Sequence, residues 1–266
     1  MPELPEVETI KRALKKTIVG KTIAKVIVSD GYVIKEPSAA CFKRQLEGAT
    51  VVGVERKGKA LIMQLSSERF LIVHLRMTGQ LLCPGNGKKS RVSFLFTDGS
   101  SCDYNDQRKL GSLRLVAQWH RIDFFKRMGP EPGDITVDNF ASMLSENKRQ
   151  IKPLLMDQQF IAGVGNLYAA EALFQAKIHP CRRAHQLSPY EKKRLLFALR
   201  SILKKAIKNH GSSIDQYVTV SGRRGNFVRF HRVYGREGKA CLICKTRISR
   251  IALSGRGTYF CAGCQK

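Results

Sequence analysis

The feature that most constrains the fold lies near the end of the chain, where two Cys-x-x-Cys pairs are separated by sixteen residues. The pairs are Cys241 with Cys244 and Cys261 with Cys264. Four thiolates in this arrangement hold one tetrahedral zinc ion, and the intervening length suits a β-hairpin. A segment this small has no hydrophobic core, so the metal would supply much of its folding energy. The alternative interpretation is a set of redox-active thiols.

The other four cysteines do not form such a pattern. They are spread singly along the chain, at Cys41, Cys83, Cys102 and Cys181. Scattered cysteines are typical of reduced thiols in the core or at the surface, and the whole pattern fits a reducing compartment better than a disulfide framework. We therefore expect these four side chains to be unpaired.

Charge defines the class of partner. Lys and Arg number 47 against 21 Asp and Glu, a net charge of +26. An excess of this size indicates a polyanionic partner, first of all nucleic acid. The sequence contains no basic amphipathic helix with an apolar face for a membrane surface, and no apolar run of the length that crosses a bilayer. We expect a soluble cytoplasmic protein, associated with the nucleoid and not with membranes.

The first half of the chain is rich in β-branched residues, after a first helix that ends near Gly20. Several short strands at this spacing predict an antiparallel sandwich or barrel that continues to about residue 127. The predicted strands cover residues 22–28, 50–54, 61–65, 70–75 and 92–97.

The second half begins with the best linker of the chain, residues 128–133, which has two prolines and two glycines. Helices follow, at 136–147 and 151–156. Another starts at Gly165-Asn166, where free backbone N–H groups could bind a phosphate, although a glycine-rich turn between packed helices looks the same. Ser188-Pro189-Tyr190-Glu191 predicts a capped helix start.

The first eight residues carry the most specific chemistry. If Met1 is removed, Pro2 becomes a terminal secondary amine that can attack an electrophilic carbon and form a cationic iminium. Glu3 is its neighbour, and Glu6 lies on the same face of a helix, where it could steady charge. The alternative interpretation is the N-cap and acidic first turn of an ordinary amphipathic helix.

Two further cations lie in glycine-containing turns. Gly58 allows a ligand to approach the backbone beside Lys59, which could contact a phosphate or a carboxylate. Arg256 lies between two glycines in the presumed hairpin of the cysteine segment, where a guanidinium could bind a phosphate with two hydrogen bonds. A solvated turn is the alternative for Lys59.

Four motifs together resemble the formamidopyrimidine-DNA glycosylase family: residues 1–9, residues 163–168, Val233-Tyr234-Gly235-Arg236 and the four-cysteine finger. The resemblance spans nearly the full chain, in order. It implies an α+β multidomain fold with DNA between its domains. The expected domains are an N-terminal β-sandwich with an N-terminal helix (1–127), a linker (128–133), a helix-two-turns-helix domain (134–221), and a lesion-recognition loop with a zinc finger (222–266).

The resemblance also implies a reaction. Such enzymes remove oxidised purines (8-oxoguanine and formamidopyrimidines) from DNA in base-excision repair, and then cleave the strand by β,δ-elimination. Pro2 would be the nucleophile, Glu3 a general acid on the sugar, and Lys59 a proton donor and phosphate contact during β-elimination. Arg256 would serve δ-elimination. One structural zinc ion and a monomer that binds double-stranded DNA with oxidised bases or abasic sites are expected.

The remaining expected DNA contacts are polar or wedge-forming residues at loops and helix starts: His74, Met77, Lys89, Arg108, Leu110, Lys152, Asn166, Arg223 and Arg224. The chain departs from the family pattern at several of them. Leu110 stands where a phenylalanine usually enters the space left by the flipped base, and a leucine stacks poorly. Arg76 replaces a glycine, and Lys89 replaces a histidine.

Two other functions stay open on the sequence. An endonuclease VIII-like glycosylase would act on oxidised pyrimidines, but its relatives usually have glycine in place of Leu4. A non-catalytic protein that binds damaged DNA would explain the altered wedge and the high charge. Lesion range, opposing-base preference and protein partners are not determined by the sequence.

Overall fold

A computed structural model describes residues 1–266 of the chain. The chain divides into two compact units, the first made of Met1–Arg127 with Asn209–Asn226 and the second of Met128–Lys208 with Phe227–Lys266. The segment 209–226 thus belongs to the same unit as the N-terminus, although helices of the second unit precede it in sequence. No helix has both the length and the apolar composition needed to cross a membrane.

The first unit contains two β-sheets. One has four strands, in the order β1-β7-β8-β6, and the other has five, in the order β2-β9-β5-β4-β3. All pairings are antiparallel except β2 with β9. The strands are β1 (Ile23–Val28), β2 (Ile34–Glu36), β3 (Val51–Lys57), β4 (Ala60–Leu65), β5 (Phe70–His74), β6 (Gly79–Leu82), β7 (Ser90–Phe96), β8 (Ser101–Asp106) and β9 (Ser112–Val116).

A single hydrophobic core lies in this unit and takes side chains from both sheets, among them Val26 and Phe94 from one and Leu61 and Val73 from the other. Helix α1 (Leu4–Thr17) adds a buried stripe at helical spacing, and it packs against β3 and β4. The remaining helices of the unit are α2 (Ala39–Leu46) and α3 (Asp123–Lys126). The predicted sandwich of two sheets with an N-terminal helix is therefore confirmed.

The second unit is helical, followed by a β-hairpin. Its helices are α4 (Val137–Ser145), α5 (Ile151–Met156), α6 (Asn166–Gln175) and α7 (Pro189–Lys208), and its hairpin consists of β10 (Ser249–Leu253) and β11 (Arg256–Phe260). The predicted start of α7 is confirmed in detail. The Glu191 N–H donates to the Ser188 hydroxyl (3.2 Å), and the Ser188 N–H donates to the Glu191 carboxylate (2.8 Å), which is a reciprocal capping box.

One expectation about cysteine is wrong. Cys83 and Cys102 form a disulfide, with their Cα atoms 4.4 Å apart. Cys83 directly follows β6 and Cys102 lies in β8, and these neighbouring strands are in register at Leu82 and Asp103, so the next pair across the ladder is the two cysteines. Their positions in the sequence differ by 19, and only the strand pairing brings them together. Cys41 and Cys181 are unpaired, as expected.

Candidate catalytic and DNA-contact residues

The N-terminal motif forms the start of α1. Pro2 is buried and Glu3 is the N-cap residue, so the alternative interpretation of this motif as a helix start holds structurally. The two interpretations are compatible, because the nucleophile would be the Pro2 nitrogen, which precedes the helix, while the Glu3 side chain takes part in a capping box with Glu6. The Glu6 carboxylate accepts a hydrogen bond from the Glu3 backbone N–H (2.8 Å) and thereby orients the peptide that carries Pro2 and Glu3.

Glu6 has a second task. Its other carboxylate oxygen accepts a hydrogen bond from the Ser212 N–H (2.8 Å), and the side chain is only 3% exposed. Gly211 passes so close that a Cβ there would lie 2.8 Å from this oxygen. The segment 209–226 is thus joined to the first turn of α1 through one carboxylate. Nothing in the spacing of Glu6 and Ser212 along the chain indicates this contact.

Lys59 lies in the two-residue turn between β3 and β4, where Lys57 pairs with Ala60. Gly58 takes a positive φ of 56°, which glycine adopts without strain. The Lys59 side chain is 6% exposed, so the solvated-turn alternative does not describe it. The structure holds the lysine in a defined environment, as a positioned catalytic or phosphate-binding cation requires.

His74 is brought next to this turn, because it pairs with Ala60 across the sheet. Burial, aided by the charges of Arg76 and Lys59, lowers the pKa of His74 to about 3. Its Nδ1 accepts the Arg76 N–H (3.2 Å), and its ring packs edge-on against Phe124 at 5.7 Å. The imidazole is therefore neutral at physiological pH and can act as a hydrogen-bond partner, not as a cation.

The three expected wedge residues come from two loops that the structure places side by side. An Arg108 guanidinium nitrogen lies 3.5 Å from the Met77 sulfur, and Met77 and Leu110 are 39% and 46% exposed. Asp106, which is buried, holds both loops: it accepts the Thr78 hydroxyl and, at 2.7 Å, the Gly111 N–H. Exposed apolar side chains on loops that are fixed in this way can insert between stacked nucleobases.

The remaining contacts expected in the first unit differ in their surroundings. Lys89 is exposed, with a positive φ of 59°. The loop that carries Arg223 is closed by a hydrogen bond from the Thr219 N–H to the Arg223 carbonyl (2.8 Å). Arg224 donates to the Ser213 carbonyl (2.9 Å), so part of its guanidinium serves the loop itself. Arg223 presents the more available charge.

In the second unit, three expected residues meet around the finger hairpin. Lys152 is only 1% exposed, and its amine donates to the Asn166 side-chain oxygen and to the Thr258 hydroxyl (2.8 Å). Asn166 begins α6, and its amide donates to the Gly257 carbonyl (3.1 Å). Arg256 follows at the start of β11. Helices and finger are thus joined through buried polar contacts.

A cavity of about 290 Å³ opens beside this network. Lys152 and Arg256 line it, together with an ion pair between Arg149 and Asp157 at 2.9 Å, so the lining has a net positive charge. The cationic lining and the N-terminus of α6 nearby suit an anion such as a phosphate.

The four finger cysteines converge on one point. Their sulfur atoms all lie within 4.8 Å of one another, and two of the separations are 3.3 and 3.9 Å. Sulfurs at the corners of a zinc tetrahedron are about 3.8 Å apart, given a Zn–S distance of about 2.3 Å. The cluster therefore fits one structural zinc ion. Cys241 and Cys261 are buried, as befits a closed site.

Buried acidic residues that the sequence motifs did not indicate organise these elements. Glu171 in α6 is 2% exposed and accepts the backbone N–H groups of Arg232, Val233 and Tyr234 at 2.8 to 3.1 Å. This carboxylate holds the Val-Tyr-Gly-Arg motif that the sequence singled out. A signal was available: in a chain with 21 acids against 47 cations, an acid within an apolar run such as 167–174 is conspicuous.

Three family models match the chain in order. They are described as the formamidopyrimidine-DNA glycosylase N-terminal domain (residues 1–113), the formamidopyrimidine-DNA glycosylase H2TH domain (128–218) and a zinc finger found in FPG and IleRS (238–266). Together they cover most of the chain.

Curated proteins similar to this chain share the name formamidopyrimidine-DNA glycosylase. Formamidopyrimidine-DNA glycosylase of Enterococcus faecalis is 40% identical over 274 aligned residues, covering 100% of this chain and 98% of that protein. Its namesake from Mycoplasma mobile is 39% identical over 272 residues, covering 100% and 99%.

Solved structures agree. An FPG mutant of Lactococcus lactis in complex with DNA containing Fapy-dG superposes with a TM-score of 0.93 at 36% identity, with 100% of both chains covered. The MutM (FPG) protein of Thermus thermophilus superposes with a TM-score of 0.90 at 37% identity, with 99% and 98% covered. By sequence, by domain order and by fold, the chain belongs to the formamidopyrimidine-DNA glycosylase family.

Proposed function

We propose that this protein is a DNA glycosylase of base-excision repair that removes oxidised purines and cleaves the strand at the resulting abasic site. Relatives that are 39–40% identical to this chain, and that align with it over nearly their full length, are named formamidopyrimidine-DNA glycosylase. Neighbouring structures hold DNA with Fapy-dG or with an abasic site. The charge of +26 supplies the sequence-independent part of duplex binding. An endonuclease VIII-like preference has no comparable support.

The observation that carries the chemistry is the placement of Pro2 and Glu3 directly before the buried first turns of α1, where the Glu6 carboxylate fixes them. Removal of Met1 would leave the Pro2 nitrogen as a secondary amine. Its lone pair would form a bond to C1′ of the damaged nucleotide while the bond from C1′ to the base breaks, and the base leaves with a proton. Glu3 would donate a proton to the sugar oxygen as the ring opens.

The iminium then makes strand cleavage possible, because it acidifies the proton on C2′. Loss of that proton and rupture of the C3′–O bond release the 3′ phosphate in β-elimination. A second elimination, in which the C4′ proton is lost as the C5′–O bond breaks, releases the 5′ phosphate. We assign Lys59 to proton donation and phosphate contact in the first elimination, and Arg256 to the second elimination and to the phosphate clamp. Glu6 acts as the support of the Glu3 peptide.

The other contacts follow from their surroundings. Met77, Arg108 and Leu110 would fill the gap left by the extruded nucleotide. In the first unit, His74, Lys89 and Arg223 would contact the DNA backbone or the lesion, and Arg224 would support the loop that carries Arg223. In the second unit, Asn166 and Lys152 would contact the DNA backbone or the lesion. We also propose the domain bounds given above and a cytoplasmic, nucleoid-associated location.

Borohydride trapping tests this function. With a duplex that contains 8-oxoguanine, the wild type should give a covalent protein–DNA adduct, and intact mass should show that Met1 is absent. Pro2→Gly should lose most of the adduct, since the secondary amine is gone. Pro189→Gly, at the first position of α7, is a matched control that should trap normally. Lesion binding with neither adduct nor strand cleavage would identify a non-catalytic binder instead.

A further inference from the structure

A second carboxylate of α1, Glu8, lies two turns from the proposed nucleophile and has unusual surroundings. It is 7% exposed and contacts three cations: Arg12 at 2.7 Å, Arg56 at 3.0 Å and Lys11 at 3.2 Å. Burial alone would raise the pKa of Glu8, but hydrogen bonds from these three side chains outweigh it and lower that pKa. The residue is therefore a buried anion at neutral pH.

The three cations are not equivalent. Lys11 and Arg12 belong to α1 itself, and Arg12 is 62% exposed. The exposed pair with Arg12 therefore contributes little, and neither of these two cations connects the helix to another element. Arg56 comes from β3, and its side chain is only 11% exposed. The bond between Glu8 and Arg56 is thus the one that ties the helix to the sheet.

Arg56 continues the connection toward Lys59. While its Nε donates to Glu8, its Nη1 donates to the Gly58 carbonyl at 2.9 Å. That carbonyl belongs to the peptide unit whose nitrogen is the backbone nitrogen of Lys59. Fixing the carbonyl therefore fixes the peptide plane from which the lysine side chain departs. Gly58 alone would leave this turn conformationally free.

We propose that Glu8 and Arg56 are positioning residues for strand cleavage, holding the Lys59 turn against the helix that carries Pro2 and Glu3. The chain of contacts runs from the Glu8 carboxylate through the Arg56 guanidinium to the Gly58 carbonyl and so to Lys59. The inference rests on the proposed function, in which Lys59 acts after Pro2. It assigns the pair to the elimination step, separately from base excision.

The two steps can be measured apart. Adduct formation with 8-oxoguanine duplex reports attack by Pro2, and cleavage of a duplex with a pre-formed abasic site reports elimination. Glu8→Gln keeps the volume of the side chain and removes the charge that holds Arg56. We expect single-turnover cleavage to slow by roughly ten- to a hundredfold, since a misplacement of about 1 Å can cost a catalytic step about a hundredfold, while adduct formation stays within about twofold.

Arg12→Gln is the matched control, since it removes a cation from the same carboxylate without touching the turn. It should leave both rates within about twofold of the wild type. Glu8→Asp, which retains the charge, should recover part of the cleavage rate lost in Glu8→Gln. If Glu8→Gln does not fold, as judged by circular dichroism, Arg56→Lys replaces it. A lysine keeps the charge opposite Glu8 but has a single side-chain nitrogen in place of the two that Arg56 uses for Glu8 and the Gly58 carbonyl, so the same selective loss is expected.

The inference is overturned if Glu8→Gln slows adduct formation and cleavage equally, if it slows neither, or if Arg12→Gln has the same effect. Failure of the proposed function would look different. In that case the wild type itself would form no adduct, whereas a failure of the positioning inference leaves wild-type trapping and cleavage intact.

Discussion

The contact between Gly211 and Glu6 yields a prediction whose magnitude follows from the geometry. Gly211 has a φ of 76°, and a Cβ at this position would lie 2.8 Å from the Glu6 Oε1 and 2.9 Å from its Cγ. Gly211→Ala therefore imposes two costs. Left-handed backbone geometry costs alanine about 1–2 kcal/mol, and the displaced carboxylate loses a charge-assisted hydrogen bond to a buried N–H, worth about 1.5–3 kcal/mol.

Gly20→Ala separates these two costs. Gly20 has a similar φ of 86°, but no atom lies within 4 Å of the position that a Cβ would occupy there. Only the backbone cost applies at this residue. Gly211→Ala should thus be about 1.5–3 kcal/mol less stable than Gly20→Ala. For a chain of this size the difference corresponds to a melting temperature lower by roughly 3–12 °C.

Thermal unfolding followed by circular dichroism measures the difference, and borohydride trapping supplies the functional readout. Because Glu6 also holds the Glu3 N–H, trapping should slow in Gly211→Ala and remain normal in Gly20→Ala. Equal melting temperatures for the two variants, together with wild-type trapping in both, would show that the Glu6 carboxylate does not support the N-terminus.

Three further predictions concern other parts of the molecule. Burial lowers the pKa of His74 to about 3 and that of His231 to about 4. As the pH falls, the unfolded chain binds protons at these histidines before the folded chain does, so the stability present above about pH 6.5 should be lost as the pH approaches 3. His231→Gln should therefore make the melting temperature depend less on pH. One zinc per chain should be found by metal analysis, and its removal by a chelator should unfold the finger and weaken binding of lesion DNA. Glu171→Gln should destabilise the second unit by about 1–3 kcal/mol. The amide oxygen can still accept the Val233 and Tyr234 N–H groups, but the amide nitrogen cannot accept the Arg232 N–H that Oε2 now accepts; urea unfolding measures the loss.

Each of these has a clear contrary result. A melting temperature that is constant between pH 7 and pH 4 would contradict the assignment of neutral, buried histidines. Full lesion binding by metal-free protein would show that the finger does not need zinc to act. Glu171→Gln should be compared with Glu146→Gln, which removes the same charge from the exposed C-terminal end of α4. Equal stability of these two variants would contradict the role given to Glu171.

Local patterns in the sequence were sufficient for much of the fold and of the candidate site. The spacing of the four cysteines, the cap at Ser188 and the period of the β-rich segments all depend on neighbours within a few residues, which a sequence displays directly. The same is true of Pro2 and Glu3, whose proximity is covalent. Four strands of the first unit, β2, β6, β8 and β9, escaped prediction. β2 and β6 have only three and four residues, and β8 and β9 are interrupted by polar residues such as Asp103, Asn105 and Arg114.

What only the tertiary structure decided is how carboxylates and cysteines from distant segments pair. Glu6 meets Ser212 across 206 residues, and Glu8 meets Arg56 across 48. The disulfide between Cys83 and Cys102 likewise depends on the register of β6 and β8. A buried charge or thiol finds its partner through the packing of whole elements, and the register and packing that set these distances are collective properties of the folded chain. Sequence spacing therefore indicated the candidate reactive groups, while the fold determined what holds them in place.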